Sequence, residues 1–243
     1  MITSLDNARV KDVLRLRKSR ERRASGLFIA EGPREVERAR AAGLRIVESY
    51  YAPDLLDWED AGAEPVTARV LTKMAYRAEP EGVIAVVEIP AHALPGNGSL
   101  YLVAVGVEKP GNLGAMARSA EAAGADALIV AEGRADAWNP NAIRASTGAV
   151  FTLPIVEATL DDVTGLGTTI AAAVVGAGTS YTDADFARPT AIVVGAEANG
   201  LGAPWLDAAE THVSIPVAGG TTDSLNAATA AAVLLFEAVR QRA

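Results

Sequence analysis

The sequence has no cysteine, which excludes disulfide bonds and thiolate chemistry. Its two histidines, His92 and His212, lie far apart in the chain, so we expect no metal site. The longest apolar run, near Ala230–Phe236, is too short to cross a bilayer. The residues after Met1 include no apolar segment of the kind that a signal peptide needs. From these absences we expect a cytoplasmic protein that is not embedded in a membrane.

Positive charge is scarce overall but concentrated at one end. The formal net charge is −8, yet residues 1–45 carry +6, so the rest of the chain carries −14. A basic segment of this kind indicates a docking surface for a polyanion, because arginine binds phosphate in a bidentate geometry. A solvated helix face is the alternative explanation, and the charge pattern leaves both open. A single predicted helix from Asn7 to Arg23 would align basic side chains. The side chains of this segment that we predict to contact nucleic acid are Arg9, Arg15, Lys18 and Arg22.

Strands and helices alternate on both sides of a stretch rich in proline and glycine. Before this stretch, the pattern predicts a small α/β domain over residues 1–90. The stretch itself, residues 91–99, has no hydrophobic periodicity and is predicted to be a linker. Residues 100–243 contain continuous apolar runs such as Leu100–Val107, which are typical of buried parallel strands. The sequence therefore predicts two α/β domains, the second with a mainly parallel sheet.

The first of three motifs spans Val105–Ala120 and has the sequence V-G-V-E-K-P-G-N-L-G-A-M-A-R-S-A. A strand leads into a glycine- and proline-containing loop and then into a helix that presents Asn112 and Arg118. A glycine-rich loop at the start of a helix suits an anionic or nucleotide-like ligand. A dinucleotide site of Rossmann type is the rival interpretation. The glycine spacing differs from G-x-G-x-x-G, however, and no acidic residue ends the next strand near Val130 in the expected position.

The other two motifs follow later strands. Ile192–Leu201, with the sequence I-V-V-G-A-E-A-N-G-L, presents Glu197 after a buried strand, at the edge where parallel sheets bind ligands. Helix capping would also explain this carboxylate. Val213–Asn226 has the sequence V-S-I-P-V-A-G-G-T-T-D-S-L-N and places two polar residues, Ser224 and Asn226, at the start of the last helix. Capping accounts for only one of them, so the segment is a candidate site.

Together, and in this order, the three motifs resemble the signature motifs of the SpoU (TrmH-like) branch of the SPOUT methyltransferases. The resemblance covers about residues 100–242. Between the first two motifs, Asn141–Phe151 is similar to the R-A-S-x-G-A-x-F segment of that family. Phe28–Pro33 is similar to the F-[LV]-x-E-G segment of its L30e-like substrate-binding domain. The second motif departs at Ala196 and Ala198, where many members have asparagine and glycine.

The resemblance implies a deep trefoil knot in the second domain, a homodimer, and S-adenosyl-L-methionine as the cofactor. It also implies methyl transfer to a ribose 2′-hydroxyl of RNA, in particular of large-subunit ribosomal RNA. Carried over by position, the residues around the reacting ribose are Arg118, Asn112, Glu197, Ser224 and Asn226. The residues at the cofactor are Gly195, Ile215, Leu225, Ala196, Gly200 and Pro216. Arg144, in the R-A-S segment, is expected to contact the RNA.

Ribose hydroxyls are weak acids, so methyl transfer needs an aligned oxygen and stabilisation of its developing charge. Arg118 stays protonated, and we expect it to clamp a phosphate and stabilise the nucleophile. The reaction needs no metal ion. Three other interpretations stay open: a tRNA substrate, a noncatalytic relative that binds RNA or the ribosome, and a nucleotide-cofactor enzyme of another class.

Overall fold

The computed structural model describes residues 1–58, 60, 62–133, 135–176, 179–219, 221 and 223–243. These residues form two compact units. The first comprises Met1–Ala91 and Trp138–Phe151, and the second comprises His92–Ala137 and Thr152–Ala243. The helices of the described residues are α1 (Ala8–Arg15), α2 (Ser19–Ser25), α3 (Pro33–Ala41), α4 (Ala68–Met74), α5 (Pro110–Ala122), α6 (Pro140–Ser146), α7 (Leu160–Thr164), α8 (Ala203–Ala208) and α9 (Ala227–Arg242), with a 3₁₀ turn at Ala149–Phe151. The strands are β1 (Leu27–Glu31), β2 (Ile46–Tyr51), β3 (Glu64–Pro65), β4 (Val83–Glu88), β5 (Leu100–Val105), β6 (Ala127–Ala131), β7 (Ile155–Glu157), β8 (Thr169–Ala173), β9 (Thr179–Ser180), β10 (Thr190–Val194) and β11 (Thr211–Ser214).

The first unit contains a four-stranded sheet in the order β1-β4-β2-β3. Strand β4 is antiparallel to both of its neighbours, and β3 runs parallel to β2. Helices α1 and α4 contact each other, and their apolar side chains are buried in one core with residues of the sheet. Helix α1 begins where the side chain of Asn7 accepts a hydrogen bond from the Arg9 backbone N–H at 2.9 Å. The α/β prediction for this region is confirmed.

The predicted single helix from Asn7 to Arg23 is wrong, because the chain breaks between α1 and α2. The break turns Arg22 inward: its side chain is 1% exposed, and Nη1 donates to the carbonyl oxygen of Leu16 at 2.6 Å. The carbonyls at the end of a helix need partners outside the helix, and Arg22 supplies one for α1. Arg22 is therefore not a phosphate ligand on a solvated face, and its assignment to the RNA-binding residues is corrected.

The second unit contains a seven-stranded sheet in the order β7-β6-β5-β10-β8-β11-β9, and each described strand pair is parallel. The central strands β5, β6 and β10 are buried throughout, as their continuous apolar sequences predicted. Helices α5 and α9 pack against each other and against the sheet. Val163 of α7 and Trp205 of α8 join a separate core with sheet residues such as Val103 and Val193. The predicted mainly parallel sheet is confirmed.

The segment Trp138–Phe151 is the part of the chain that joins the first unit from within the second half of the sequence. Its two aromatic ends lie against Phe28, with ring centroids 4.9 Å from Trp138 and 5.7 Å from Phe151. The R-A-S segment therefore belongs to the same compact unit as the residues before Ala91. The predicted domain bounds, 1–90 and 100–243 with a linker at 91–99, stay a prediction.

Candidate functional site

Three strands of the second sheet end side by side at a cavity. Strand β8 lies between β10 and β11, and all three run in the same direction. The carboxyl ends of parallel strands share one edge, which is where such sheets bind ligands. A cavity of about 410 Å³ opens there, bounded by the chain that follows each of these strands and by the start of α9. Small-molecule sites have volumes of roughly 300–1,000 Å³, so this cavity has the size of a binding site.

The loop that follows β10 closes tightly on itself around Gly195. The backbone N–H of Gly200 donates to the carbonyl oxygen of Ala196 at 2.9 Å, and Gly200 has a φ of 62°. A Cβ on Gly195 would lie 2.3 Å from the carbonyl carbon of Gly200. The backbone of the loop itself therefore requires glycine at position 195. This folded loop places Glu197 at the cavity.

Five of the six residues that we predicted at the cofactor line this cavity: Gly195, Ala196, Gly200, Ile215 and Leu225. Pro216 is exposed and is not among the lining residues. The sequence prediction missed Asp223 in the third motif and Ala173–Val175, which comprise the last residue of β8 and the two residues after it. No motif marks the end of β8; only its position between β10 and β11 brings it to the cavity. Contact of the six predicted residues with a cofactor stays a prediction.

Three of the predicted catalytic residues meet in one chain of hydrogen bonds. Asn112 Nδ2, on α5, donates to Glu197 Oε1, and Asn226 Nδ2 donates to Asn112 Oδ1 at 3.3 Å. Asn226 is also the N-cap of α9, where its Oδ1 accepts from the backbone N–H of Ala228 at 2.9 Å. The cap fixes the side chain of Asn226, so its amide group is directed towards Asn112. Two helices and one loop thus place a carboxylate and two amides beside the cavity.

Ser224 lines the cavity, whereas Arg118 does not join the hydrogen-bonded chain. Arg118 follows Asn112 by six residues on α5, which at 100° per residue is about 120° around the helix axis. Its side chain is exposed and forms no hydrogen bond or ion pair with the described part of the chain. Among the described residues, those that line the cavity include two carboxylates, Glu197 and Asp223, and no basic side chain. Such a lining suits a ligand that carries positive charge.

The predicted RNA-binding residues of the first unit differ in exposure and in their partners. Four of them are exposed: Arg9, Arg15, Lys18 and Arg144. Arg9 and Arg15 each pair with a nearby carboxylate, at N–O distances of 3.6 and 3.2 Å. Lys18 forms no ion pair with the described residues. Arg144, on α6, donates from Nη2 to Asn141 Oδ1 at 3.2 Å.

Neither histidine lines the cavity. Burial lowers the pKa of His92 below its usual value. His212 Nε2 lies 2.9 Å from the carbonyl oxygen of Leu206. Within the residues that the structure describes, no group of histidine and carboxylate side chains could hold a metal ion, and no helix is long and apolar enough to cross a membrane.

Comparison with known proteins finds relatives for both parts of the chain. Residues 99–236 match the SpoU rRNA Methylase family, and residues 7–85 match the MRM3-like substrate binding domain. A 23S rRNA guanosine 2′-O-methyltransferase of Bacillus subtilis is 30% identical, over 97% of this chain and 97% of the relative. A crystal structure of an RNA 2′-O ribose methyltransferase is 41% identical with a TM-score of 0.86, covering 99% of this chain and 98% of the other. The AdoMet-bound rRNA methyltransferase of Sinorhizobium meliloti is 30% identical with a TM-score of 0.87, covering 98% and 97% of the two chains.

Proposed function

Because the chain belongs to the SpoU rRNA methylase family, we propose that it methylates a ribose 2′-hydroxyl of large-subunit ribosomal RNA with S-adenosyl-L-methionine. The observation that carries the proposal is the cavity at the ends of β8, β10 and β11, with the hydrogen-bonded residues Asn112, Glu197 and Asn226 beside it. The full-length Bacillus relative, which is named for 23S rRNA, favours ribosomal RNA over tRNA.

The cavity fits the cofactor in size and in charge. Ala173, Leu201, Ile215 and Leu225 supply apolar surface for an adenine ring, and the backbone groups of the loops supply hydrogen bonds. The carboxylates of Glu197 and Asp223 face a ligand that carries both an ammonium and a sulfonium charge. When bound, S-adenosylmethionine supplies an electrophilic methyl group. We propose that Gly195, Ala196, Gly200, Ile215 and Leu225 hold it, with Pro216 shaping the loop after β11.

The residues beside the cavity orient the ribose and stabilise its oxygen. Asn112 donates to Glu197 Oε1, and Asn226 in turn donates to Asn112, so the second carboxylate oxygen of Glu197 is left for a ribose hydroxyl. Ser224 offers a further hydroxyl at the same edge. Arg118 remains cationic, so we assign it to the substrate phosphate and to the charge that develops on the 2′-oxygen as its proton leaves.

We further propose a homodimer with a knotted second domain that works in the cytoplasm. Arg118 is on a different face of α5 from Asn112, which belongs to the hydrogen-bonded chain of the same subunit. Arg118 is therefore available to a site shared with a second copy. Phe236 and Val239, one turn apart on α9, leave 50% and 36% of their surfaces exposed. A pair of large apolar side chains on one helix face supports an interface between copies.

The test is methyl transfer from radiolabelled S-adenosylmethionine to an unmodified 23S rRNA transcript, with a tRNA mixture in parallel. We expect label in the ribosomal RNA, and nuclease digestion should release it as a 2′-O-methylnucleoside. Label on a base, or only in tRNA, would contradict the proposal. Mapping 2′-O-methyl sites in ribosomal RNA from a deletion strain would then identify the nucleotide.

A further inference from the structure

A buried carboxylate in the first unit holds the turn that follows α4. Glu31, the last residue of β1, is 5% exposed. Its carboxylate oxygens accept hydrogen bonds from the backbone N–H groups of Tyr76 at 2.9 Å and Arg77 at 3.2 Å. Burial of a carboxylate is unfavourable unless hydrogen bonds replace its water. The two amides provide that replacement, and they fix the turn against the sheet.

A second buried carboxylate holds the side chain of Arg77. Glu35 is 2% exposed and lies 3.6 Å from Arg77 Nη2 and 3.0 Å from Arg34 Nη2. Arg77 also pairs with Glu81. Gly32 leaves the space for these groups, because a Cβ there would lie 3.0 Å from Glu81 Oε2 and 3.1 Å from Glu35 Oε2. The guanidinium of Arg77 is thus engaged inside the unit, and the turn is held from two sides.

The side chain that this arrangement presents to solvent is Tyr76, which is 40% exposed. Its hydroxyl oxygen accepts a hydrogen bond from Asn141 Nδ2 at 3.4 Å. The same Asn141 accepts from the exposed Arg144 at 3.2 Å. Two hydrogen bonds therefore connect an aromatic ring, an amide and a guanidinium on the surface of the first unit. We call Tyr76, Asn141 and Arg144 the tyrosine–arginine line.

We propose that the tyrosine–arginine line binds a single-stranded segment of the substrate RNA, with a base stacked on Tyr76 and a phosphate on Arg144. Unpaired bases are recognised by stacking on aromatic rings, and arginine binds the phosphates between them. Glu31 is a positioning residue, because it fixes the backbone that carries the ring. This inference rests on the proposed function, since it takes RNA as the substrate.

The first test separates stacking from phosphate binding on an unmodified 23S rRNA transcript across a salt series. Tyr76→Leu should weaken binding about tenfold at every salt concentration, since stacking does not release counterions, and Tyr76→Phe should restore it. Arg144→Gln should weaken binding and flatten the salt slope by about 0.7, the value for one single-strand phosphate. Arg69→Gln is the matched charge control, because Arg69 is exposed on α4 and forms no ion pair with the described residues. Unchanged affinity in Tyr76→Leu overturns the inference.

Methyl-transfer kinetics distinguish this inference from the proposed function. If wild-type protein methylates the transcript, Tyr76→Leu should raise KM for RNA about tenfold and leave the affinity for S-adenosylmethionine unchanged. A normal KM in that variant overturns the tyrosine–arginine line while the proposed function stands. Wild-type protein that binds the transcript through Tyr76 but transfers no methyl group would overturn the proposed function alone.

A double mutant tests Glu31 as a positioning residue. Glu31→Gln keeps the shape of the side chain but replaces one acceptor oxygen by a donor, so one of the two amides loses its partner. We expect a several-fold loss of RNA affinity with an unchanged salt slope. In combination with Tyr76→Leu, the substitution should cause no further loss, because both act through the same ring. Fully multiplicative losses, or a lower unfolding temperature with normal RNA affinity, would assign Glu31 to stability only.

Discussion

In the second unit, polar residues that are far apart in the sequence come together, whereas in the first unit basic residues that are adjacent in the sequence separate. The hydrogen-bonded chain of Asn112, Glu197 and Asn226 spans more than 110 positions. Within the short segment from Arg17 to Arg22, by contrast, the two end residues serve the fold: Arg17 Nη2 donates to the carbonyl oxygen of Lys73 at 3.0 Å, and Arg22 is buried.

The difference follows from the two architectures. In a parallel sheet, each strand ends at the same edge, so a polar residue after a buried strand is brought to a common place. On a helix, the direction of a side chain depends on where the helix begins and ends. The break between α1 and α2 therefore changes which basic side chains face solvent. A run of basic residues in a helical segment therefore predicts a binding surface less well than a polar residue at the end of a parallel strand predicts a site.

The largest effect is expected at Arg118. Its substitution tests whether the residues that meet at the cavity are sufficient for methyl transfer without it. Arg118→Ala should lower the single-turnover rate of methyl transfer by at least about 100-fold, the usual cost of removing one positioned charge donor. Binding of S-adenosylhomocysteine, measured by calorimetry, should stay within about twofold, because Arg118 does not line the cavity. The rate for Arg118→Lys should lie between those of the wild type and Arg118→Ala, since lysine keeps the charge but lacks the planar guanidinium. Retained turnover in Arg118→Ala would remove this residue from the mechanism.

A smaller effect, on cofactor binding, is expected at Gly195, where the loop after β10 folds back on itself. Gly195→Ala places a Cβ 2.3 Å from backbone of Gly200, so the loop must open. We expect at least about tenfold weaker binding of S-adenosylhomocysteine, with RNA binding less affected. Gly96→Ala is the control, because a Cβ there meets no atom within 4 Å. Equal affinities in the two variants would contradict the role of this loop at the cofactor.

The smallest effects separate neighbouring residues of the first unit. Arg22→Ala should lower the free energy of unfolding by about 2 kcal/mol, because the carbonyl of Leu16 loses a buried partner, and should leave the salt slope of RNA binding unchanged. Lys18→Ala should leave the unfolding temperature unchanged and lower that slope by about 0.9, the share of one duplex phosphate. Thermal unfolding and RNA binding across a salt series provide both values. If Lys18→Ala leaves both quantities unchanged, the solvated-face explanation of the basic segment holds for this residue.

Much of the second unit could be predicted because its signals are local. Buried parallel strands appear as continuous apolar runs, and the motifs after them identified seven of the cavity-lining residues, among them Glu197 and Ser224. The end of β8 could not be predicted, because its residues are alanine and valine without a polar marker. Its place at the cavity depends on strand order, and strand order is decided by packing of the entire sheet.

The first unit was harder to predict for a different reason. The helical pattern of residues 7–23 extends across the break, and only the packed core shows that Arg22 faces inward. Likewise, Trp138–Phe151 follows the first motif in sequence, yet its aromatic ends pack on Phe28 of the first unit. The contacts of Phe28 with Trp138 and Phe151 join chain segments more than 100 positions apart, so no window of local sequence contains them.

The two α/β patterns, the family motifs and the residue types of the candidate site could be predicted from the sequence, because periodicity, glycine spacing and polar residues at strand ends are local properties of the chain. The position of β8 at the cavity and the hydrogen bond from the Tyr76 backbone to Glu31 follow only from the folded arrangement of the sheets. Both depend on which distant parts of the chain meet when the sheets form. The free energy that favours one strand order comes from many contacts across the core, so no single position encodes it.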